Sequence, residues 1–454
     1  YIRMVSILNS LLYFLRSLVM NFLRFDYMSS LTCSPFFLGK FTEYDILNQI
    51  DVTGQFEISS VQIKEFREPR LMAKFDHTIN LPKLFSDNHL AILPITRGDY
   101  VISHFDAYHK FEDSDTPITR VSLPTYIQSL DSSNVPSEAI ALNCAVAAGI
   151  VTDFLEDEDL LSTVSGRMGS GDFSFSIFNT KSLSPRSVQV KNSQIEIDAA
   201  YEGVGSLALF EAKRDLSEDF LVRQLYYPFR VWQSRVTKTV RPLFLVYSNG
   251  IYRLYEYQFQ DPHNYNSLAL VKQKNYSVED TLIELTDIER VLSSASIVAE
   301  PSVPFPQADS FERVINICEL LTEQELSRAD VTEQYAFDAR QTNYYTDAAL
   351  YLGLLEKHSE SRTPVYRLSE KGKTILNRNY KNRQLAFCAC IVSHKAFRDT
   401  LRLYLDSGNM PSTNEIVQIM KNSKLFNVGS DNTFERRSST IKGWLNWILG
   451  LINE

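Results

Sequence analysis

Cysteine, proline and glycine are scarce in this sequence: five Cys, 16 Pro and 16 Gly among 454 residues. So little Gly and Pro excludes a collagen-like or low-complexity chain, and 44% hydrophobic with 22% charged residues is the composition of an ordinary folded protein. Cys33, Cys144, Cys318, Cys388 and Cys390 are scattered, odd in number and form no CxxC pair. That excludes a disulfide framework and a Cys-rich zinc site, and suits free thiols in a reducing cytoplasm. An excess of positive charge is also missing. The formal net charge of −9 argues against coating nucleic acid through bulk charge, though a local basic cleft remains compatible with it. A P-loop is absent too: the Gly-rich SGRMGSGDF, residues 165–173, lacks the Lys-Ser/Thr ending of a phosphate cradle. It reads as a plain loop before a strand, with contact of Arg167 to a DNA backbone as the functional alternative.

Uninterrupted apolar runs are few. The first, MVSILNSLLYFLRSLVMNFLRF, is broken by Asn9, Arg16 and Asn21, and its apolar residues follow helical spacing. The pattern predicts an amphipathic helix over residues 1–27 that packs on a partner or core, with association to a membrane surface as the alternative reading of the same pattern; no membrane partner is expected for the chain as a whole. Two origins stay open for this segment: part of the native chain, or an extension ahead of a native start at Met28.

A chain of this length holds roughly two to four domains. Residues 28–134 read as an N-terminal α+β domain in which HLAILPITRGDYVISHF is a hairpin, while Arg67, Arg70 and Lys74 form either a solvated face or a DNA contact. Residues 135–300 open with the helix NVPSEAIALNCAVAAGIVTDFL. Strands follow, then a helix capped by Ser217 and kinked at Pro228, then RPLFLVYS and an Asn249-Gly250 hairpin turn. PSVPFP marks a linker over residues 301–308. Beyond it, 309–454 is mainly helical, and its order of helix, second helix, two-stranded wing and helix is that of a winged helix-turn-helix, with a weaker second such order after Pro411.

The chemistry concentrates in IEIDAAYEGVGSLALFEAKRD, residues 195–215, which reads as two apolar strands around an EGVGS turn. At the strand period of two, Glu211 and Lys213 share one face, and Asp198 shares its face with Glu196. The turn can carry Asp198 next to Glu211. Two adjacent carboxylates repel, so the pair needs a compensating cation. Lys213 supplies part of that charge, and a hard divalent ion held by one or two carboxylates and substrate phosphate oxygens, Mg²⁺, would supply the rest. The bland alternative is a surface hairpin with a Glu211–Lys213 salt bridge.

Asp198, the gap and Glu211-Ala212-Lys213 resemble the D…(D/E)xK pattern of the PD-(D/E)XK nuclease superfamily, with Ile197 in place of the usual Pro. The longer series REPRLMAKFDHTINLPKLF, GRMGSGDFSFSI, QIEIDAAYEG and LFEAKRD resembles Type II restriction endonucleases with an added C-terminal helical region. The resemblance implies a restriction-endonuclease-like α/β (α+β) core, a mixed sheet flanked by helices, followed by the winged-helix region. It implies Asp198 and Glu211 as metal ligands, Lys213 orienting the attacking water, Gln224 beside the active site, and a further acid from the first helix, for which Glu156 is the candidate. In the winged helix, Arg340, Gln341, Asn343 and Tyr344 would reach base edges and Arg362 and Arg367 phosphates; Arg436, Arg437 and Lys442 would form the basic face of the second module. The expected activity is Mg²⁺-dependent, site-specific cleavage of double-stranded DNA by a cytoplasmic homodimer, with a companion methyltransferase acting on the same site. The alternatives are a repair or recombination nuclease that selects DNA structure, and a DNA-binding regulator without activity.

Overall fold

The computed structural model describes residues 45–64, 75–112, 116–278, 282–322, 324–334, 339–360 and 363–453. The helix expected over 1–27, the cluster Arg67, Arg70 and Lys74, and Arg362 lie outside the described residues. The protein is mixed α+β and divides into two compact units. None of the described helices is long and apolar enough to cross a membrane.

The first unit holds residues up to Phe75, Leu81–Asp106 and Ile177–Arg186. It contains α1 (Ile46–Thr53), β1 (Phe56–Ser59), α2 (Ser60–Lys64), α3 (Lys83–Asp87), β2 (Ala91–Pro94) and β3 (Asp99–Ser103), with an antiparallel sheet in the order β1-β3-β2. The expected hairpin is the β2–β3 pair, Ala91 facing Ser103 and Pro94 facing Tyr100. Period-two alternation turns Phe56 and Ile58 inward and Glu57 out, and the inward residues join Ile46, Ile50, Phe85 and Ile92 in one core.

The second unit holds Asp76–Asn80, Ala107–Ser176 and Ser187–Glu454. Its strands and helices begin with β4 (Tyr108–Lys110), β5 (Ile118–Arg120), α4 (Glu138–Ala147), α5 (Ile150–Leu155) and β6 (Leu161–Gly169), followed by β7 (Asp172–Asn179) and β8 (Ser184–Lys191), of which Ile177–Asn179 and Ser184–Arg186 count with the first unit. They continue with β9 (Gln194–Glu202), β10 (Ser206–Lys213), β11 (Asp219–Leu221), α6 (Arg223–Gln233), β12 (Thr239–Ser248), β13 (Ile251–Phe259) and β14 (Leu268–Ser277). Seven strands form one sheet in the order β5-β14-β13-β12-β10-β9-β6, with β10/β12 and β14/β5 parallel and the other neighbours antiparallel. On the N-terminal side of the expected 134/135 boundary, β4 and β5 pair with β11 and β14.

Side-chain parity sorts the sheet. Ala199, Tyr201, Ala208, Phe210 and Ala212 pack under α4 and α5, while α6 covers the other face of β9, β10 and β12. The Asn249-Gly250 turn is as expected: both residues take positive φ, 53° and 77°, which suits the two-residue hairpin closing Ser248 on Ile251.

Three local expectations change. Of residues 165–173, expected as a loop, Ser165–Gly169 complete β6 on the edge beside β9 and Asp172 already opens β7, with register shifts in β6 around Val164 and Gly166 at φ +90°. The helix expected from Ser217 starts at Arg223, because Ser217 bonds His77 and Asp215 while Asp219–Leu221 joins β4 as β11. Pro228 does lie inside this helix. The segment expected as a linker is packed: Phe305 is buried against Tyr351 and Phe397, and the Ala308 carbonyl accepts from Trp444.

The remaining elements are α7 (Leu285–Ser294), α8 (Phe311–Leu320), β15 (Leu326–Ser327), α9 (Arg328–Gln334), α10 (Ala339–Tyr351), β16 (Leu355–Glu360), β17 (Thr363–Leu368), α11 (Glu370–Leu376), α12 (Tyr380–Val392), α13 (Lys395–Ser407), α14 (Thr413–Asn422) and α15 (Asp431–Gly450). β15, β17 and β16 form a small antiparallel sheet. Among the described residues no strand follows β17, so the segment expected as a second module is helical throughout, without a wing. Arg437 bonds the Phe305 carbonyl and Lys442 the Thr413 hydroxyl there.

Candidate active site

The β9–β10 hairpin turns at Val204-Gly205, where Gly203 N–H bonds the Ser206 carbonyl, and the pairing runs from Glu202–Leu207 to Ala199–Phe210. The next step of that register sets Asp198 opposite Glu211. There the strands part, and Asp198 Oδ2 instead accepts the Ala212 N–H at 2.8 Å. The side chain thus takes the place of a main-chain partner, which fixes the carboxylate at the mouth of the hairpin.

Glu211 and Lys213 lie on the α6 face of β10. Glu211 Oε1 accepts from Lys213 Nζ at 2.8 Å and from Gln224 Nε2 of α6 at 2.7 Å. The Gln224 Oε1 is buried without a partner among the described residues. Lys213 Nζ also lies 3.6 Å from Asp76 Oδ2. Asn316 of α8 bonds the Arg214 carbonyl and the Leu216 N–H, at 2.8 and 3.3 Å, holding the chain just past Lys213.

Charge is unbalanced at this point. Burial pushes Glu211 up to about 8, with Asp198 and Asp76 adding to the rise and Lys213 opposing it. Burial likewise lifts Glu138, at the first turn of α4, to about 7 against the pull of Lys213, and raises Asp198 against its Ala212 hydrogen bond and Lys213. Burial disfavours a charge on Lys213, yet Glu211, Asp76 and Glu138 together outweigh it and hold it well above its ordinary value. One ammonium therefore answers several carboxylates.

Beside the cluster, His77 bonds Ser217 Oγ at 3.1 Å, lies 3.2 Å from Asp215 Oδ2 and contacts the Asp219 carbonyl through Nδ1. Burial opposes its charge, but Asp215 and the Asp219 carbonyl raise its pKa, and burial of Asp215 is in turn overridden by His77 and Ser217, down to about 2. Ser217 gives its hydroxyl to Asp215 and not to the imidazole. The trio is a mount, not a nucleophile.

A Mg²⁺ ion suits the oxygens on offer. Among the described residues no three His, Cys, Asp or Glu side chains form a ready metal cage. Asp198 and Glu211 each keep one carboxylate oxygen without a hydrogen bond among the described residues. Two carboxylates completed by water and phosphate are the usual arrangement for this ion, and the local excess of acids is what a cation would relieve.

The structure brings Asp198, Glu211, Lys213 and Gln224 together. It does not bring Glu156: that residue caps α5 at φ +58°, is exposed, and pairs with Lys272 Nζ at 2.8 Å. The acid that α4 directs to the cluster is Glu138, and a second, Asp76, arrives from far upstream; neither has a local motif. The Pro136-Ser137-Glu138 signal at the helix start, with Ser137 capping the Ile140 N–H, could have placed Glu138 in the first turn but not beside Lys213.

The DNA-contact candidates are dispersed. Arg167 pairs with Glu196 at 3.2 Å on the exposed β6–β9 edge. Arg340 stacks on Tyr344, 5.4 Å from its ring centre, and Gln341 and Asn343 are half-buried on α10, whose Thr342, Thr346, Ala348 and Ala349 are buried. Arg367 is held by Glu356 at 2.7 Å and Glu325 at 3.8 Å.

Three family profiles match the chain: a domain of unknown function (DUF6996) over residues 39–102, another (DUF6997) over 103–277, and a third (DUF7226) over 313–453. The candidate centre, apart from Asp76, lies in the second. No curated protein and no solved structure matches the chain.

Proposed function

We propose that the chain is a Mg²⁺-dependent, site-specific DNA endonuclease of restriction type, with a restriction-endonuclease-like core in the seven-stranded sheet and a winged helix in β15–β17, α9 and α10. The observation that carries it is the constellation at the mouth of the β9–β10 hairpin, where Asp198 and Glu211 sit with Lys213 two residues along the same strand face. Asp198 and Glu211 would hold the ion, which when bound polarises the phosphate and lowers the pKa of water. The protein's own share is positional. Ala212 N–H orients Asp198, Gln224 fixes Glu211, and Lys213 presents an ammonium that donates to the attacking water or the phosphate oxygen and stabilises charge that builds in the transition state.

On this reading α10 enters the major groove with Arg340, Gln341, Asn343 and Tyr344, and Arg367 on the wing meets phosphate after exchanging Glu356 for it. The expected substrate is double-stranded DNA cut by a homodimer, with a methyltransferase protecting the same sequence. Runoff sequencing of plasmid incubated with the protein and Mg²⁺ tests this: discrete fragments with one recurring cut sequence are expected, and none with EDTA. Cleavage confined to branched or damaged DNA would replace it with a structure-selective nuclease. Binding without cleavage, equal in wild type and Lys213→Ala, would indicate an inactive regulator.

A further inference from the structure

Lys213 has three N–H donors and two carboxylate neighbours, Glu211 Oε1 at 2.8 Å and Asp76 Oδ2 at 3.6 Å. Asp76 belongs to no part of the strand motif, yet its position is built with care. The Leu221 N–H of β11 bonds the Asp76 carbonyl at 2.8 Å. The next residue, His77, is only 4% exposed and is held by Asp215, Ser217 and the Asp219 carbonyl. Thr78 then gives its N–H to Asp219 Oδ1 at 3.0 Å and its hydroxyl to Oδ2. Three consecutive residues are thus fastened to residues 215–221, the stretch that leaves the catalytic strand directly after Lys213.

A segment that only needed to cross this surface would not require a buried His–Asp pair two residues beyond Lys213. We propose that Asp76 is a positioning residue of this active centre: with Glu211 it brackets the Lys213 ammonium, so that the remaining N–H is aimed at the reacting water or phosphate oxygen, and the His77–Asp215 pair is its mount. The assignment rests on the nuclease reading. It adds to the centre a residue that the strand motif does not contain.

The test is steady-state cleavage of a plasmid substrate by the full-length protein, with folding of each variant checked by its melting curve. Asp76→Ala and Asp76→Asn should lower kcat about 10- to 100-fold, the range expected when a reacting group is slightly misplaced, with KM for DNA little changed. Asp76→Glu should recover part of the loss. His77→Gln should lower kcat in the same direction, and the double variant Asp76→Ala/His77→Gln should be no slower than Asp76→Ala, because both act through one contact. Wild-type kcat in both Asp76 variants overturns the proposal while leaving the nuclease reading intact, as does additive loss in the double variant. If Asp76→Ala does not fold, Asp76→Asn and Asp76→Glu decide it: equal kcat in the two sinks the role of the charge. No cleavage by folded wild type overturns the nuclease reading and this assignment with it.

Discussion

Two glutamates on the same sheet, Glu256 on β13 and Glu211 on β10, show two ways to bury a carboxylate. Glu256 is met by both arms of Arg241, at 2.6 and 2.7 Å, and the guanidinium spends a further N–H on the Leu155 carbonyl at 2.9 Å. One cation answers one anion and both oxygens are satisfied, so the pair is closed. Glu211 shares its single cation with Asp76 and leaves an oxygen over, while Asp198 and Glu138 add charge nearby. The difference lies in stoichiometry more than in burial. A matched pair holds strands together; an acid excess at a strand mouth is unstable by itself and suited to a ligand that brings positive charge.

Breaking each site separates the two roles. The largest effect is expected in activity: Asp198→Asn, Glu211→Gln or Lys213→Ala should each reduce plasmid cleavage about a thousandfold or more, as loss of one member of a cooperating set does. Glu256→Gln, if folded, should leave the rate within a few-fold. Loss of rate in Glu256→Gln equal to that in Lys213→Ala would erase the contrast.

Stability should respond in the opposite sense. Glu256→Ala leaves Arg241 half-buried without its partner and should cost about 3–5 kcal/mol in urea unfolding, somewhat less in proportion to the solvent that reaches the pair. Glu211→Gln at pH 8 without divalent ions should raise stability, because it removes a carboxylate that the fold charges at a cost.

The pH dependence sharpens the same point. With folded values near 8 for Glu211 and near 7 for Glu138, both above the ordinary 4.5, the native state keeps protons that the unfolded chain has released. The contribution is fully present below about pH 4.5 and is lost as pH rises through 7 and 8. Melting temperature without divalent ions should therefore fall across that window, and the fall should shrink in Glu211→Gln. The smallest effect belongs to Glu156: it is exposed and tied to Lys272, so Glu156→Gln should leave both plasmid cleavage and the urea unfolding midpoint unchanged.

Parity made part of this visible in the sequence. Whether Glu211 and Lys213 share a face depends only on the period of a strand, and the Gly203 to Ser206 turn is local, so the approach of Asp198 could be read from neighbouring residues. Asn249-Gly250 was legible for the same reason. What could not be read depends on distant contacts. Glu138 and Glu156 look alike as acids on one helical segment, and only the packing of α4 and α5 under the sheet decides which comes within electrostatic reach of Lys213. Ser217 carries the signal of a helix cap, but His77 and Asp215 claim its hydroxyl, so the helix waits until Arg223. Phe305 sits in a Pro-rich stretch that reads as linker, and its burial rests on Tyr351 and Phe397. β6 was hidden by its glycines, since its strand character comes from β9 alongside it.

The claim beneath all of this is that the mouth of the β9–β10 hairpin is a cation site. Isothermal titration of the folded protein with Mg²⁺ at pH 8 tests it most directly. Wild type and Glu256→Gln should bind the ion and Asp198→Asn and Glu211→Gln should not; equal binding by all four, or none by wild type even with uncleaved DNA present, would contradict it.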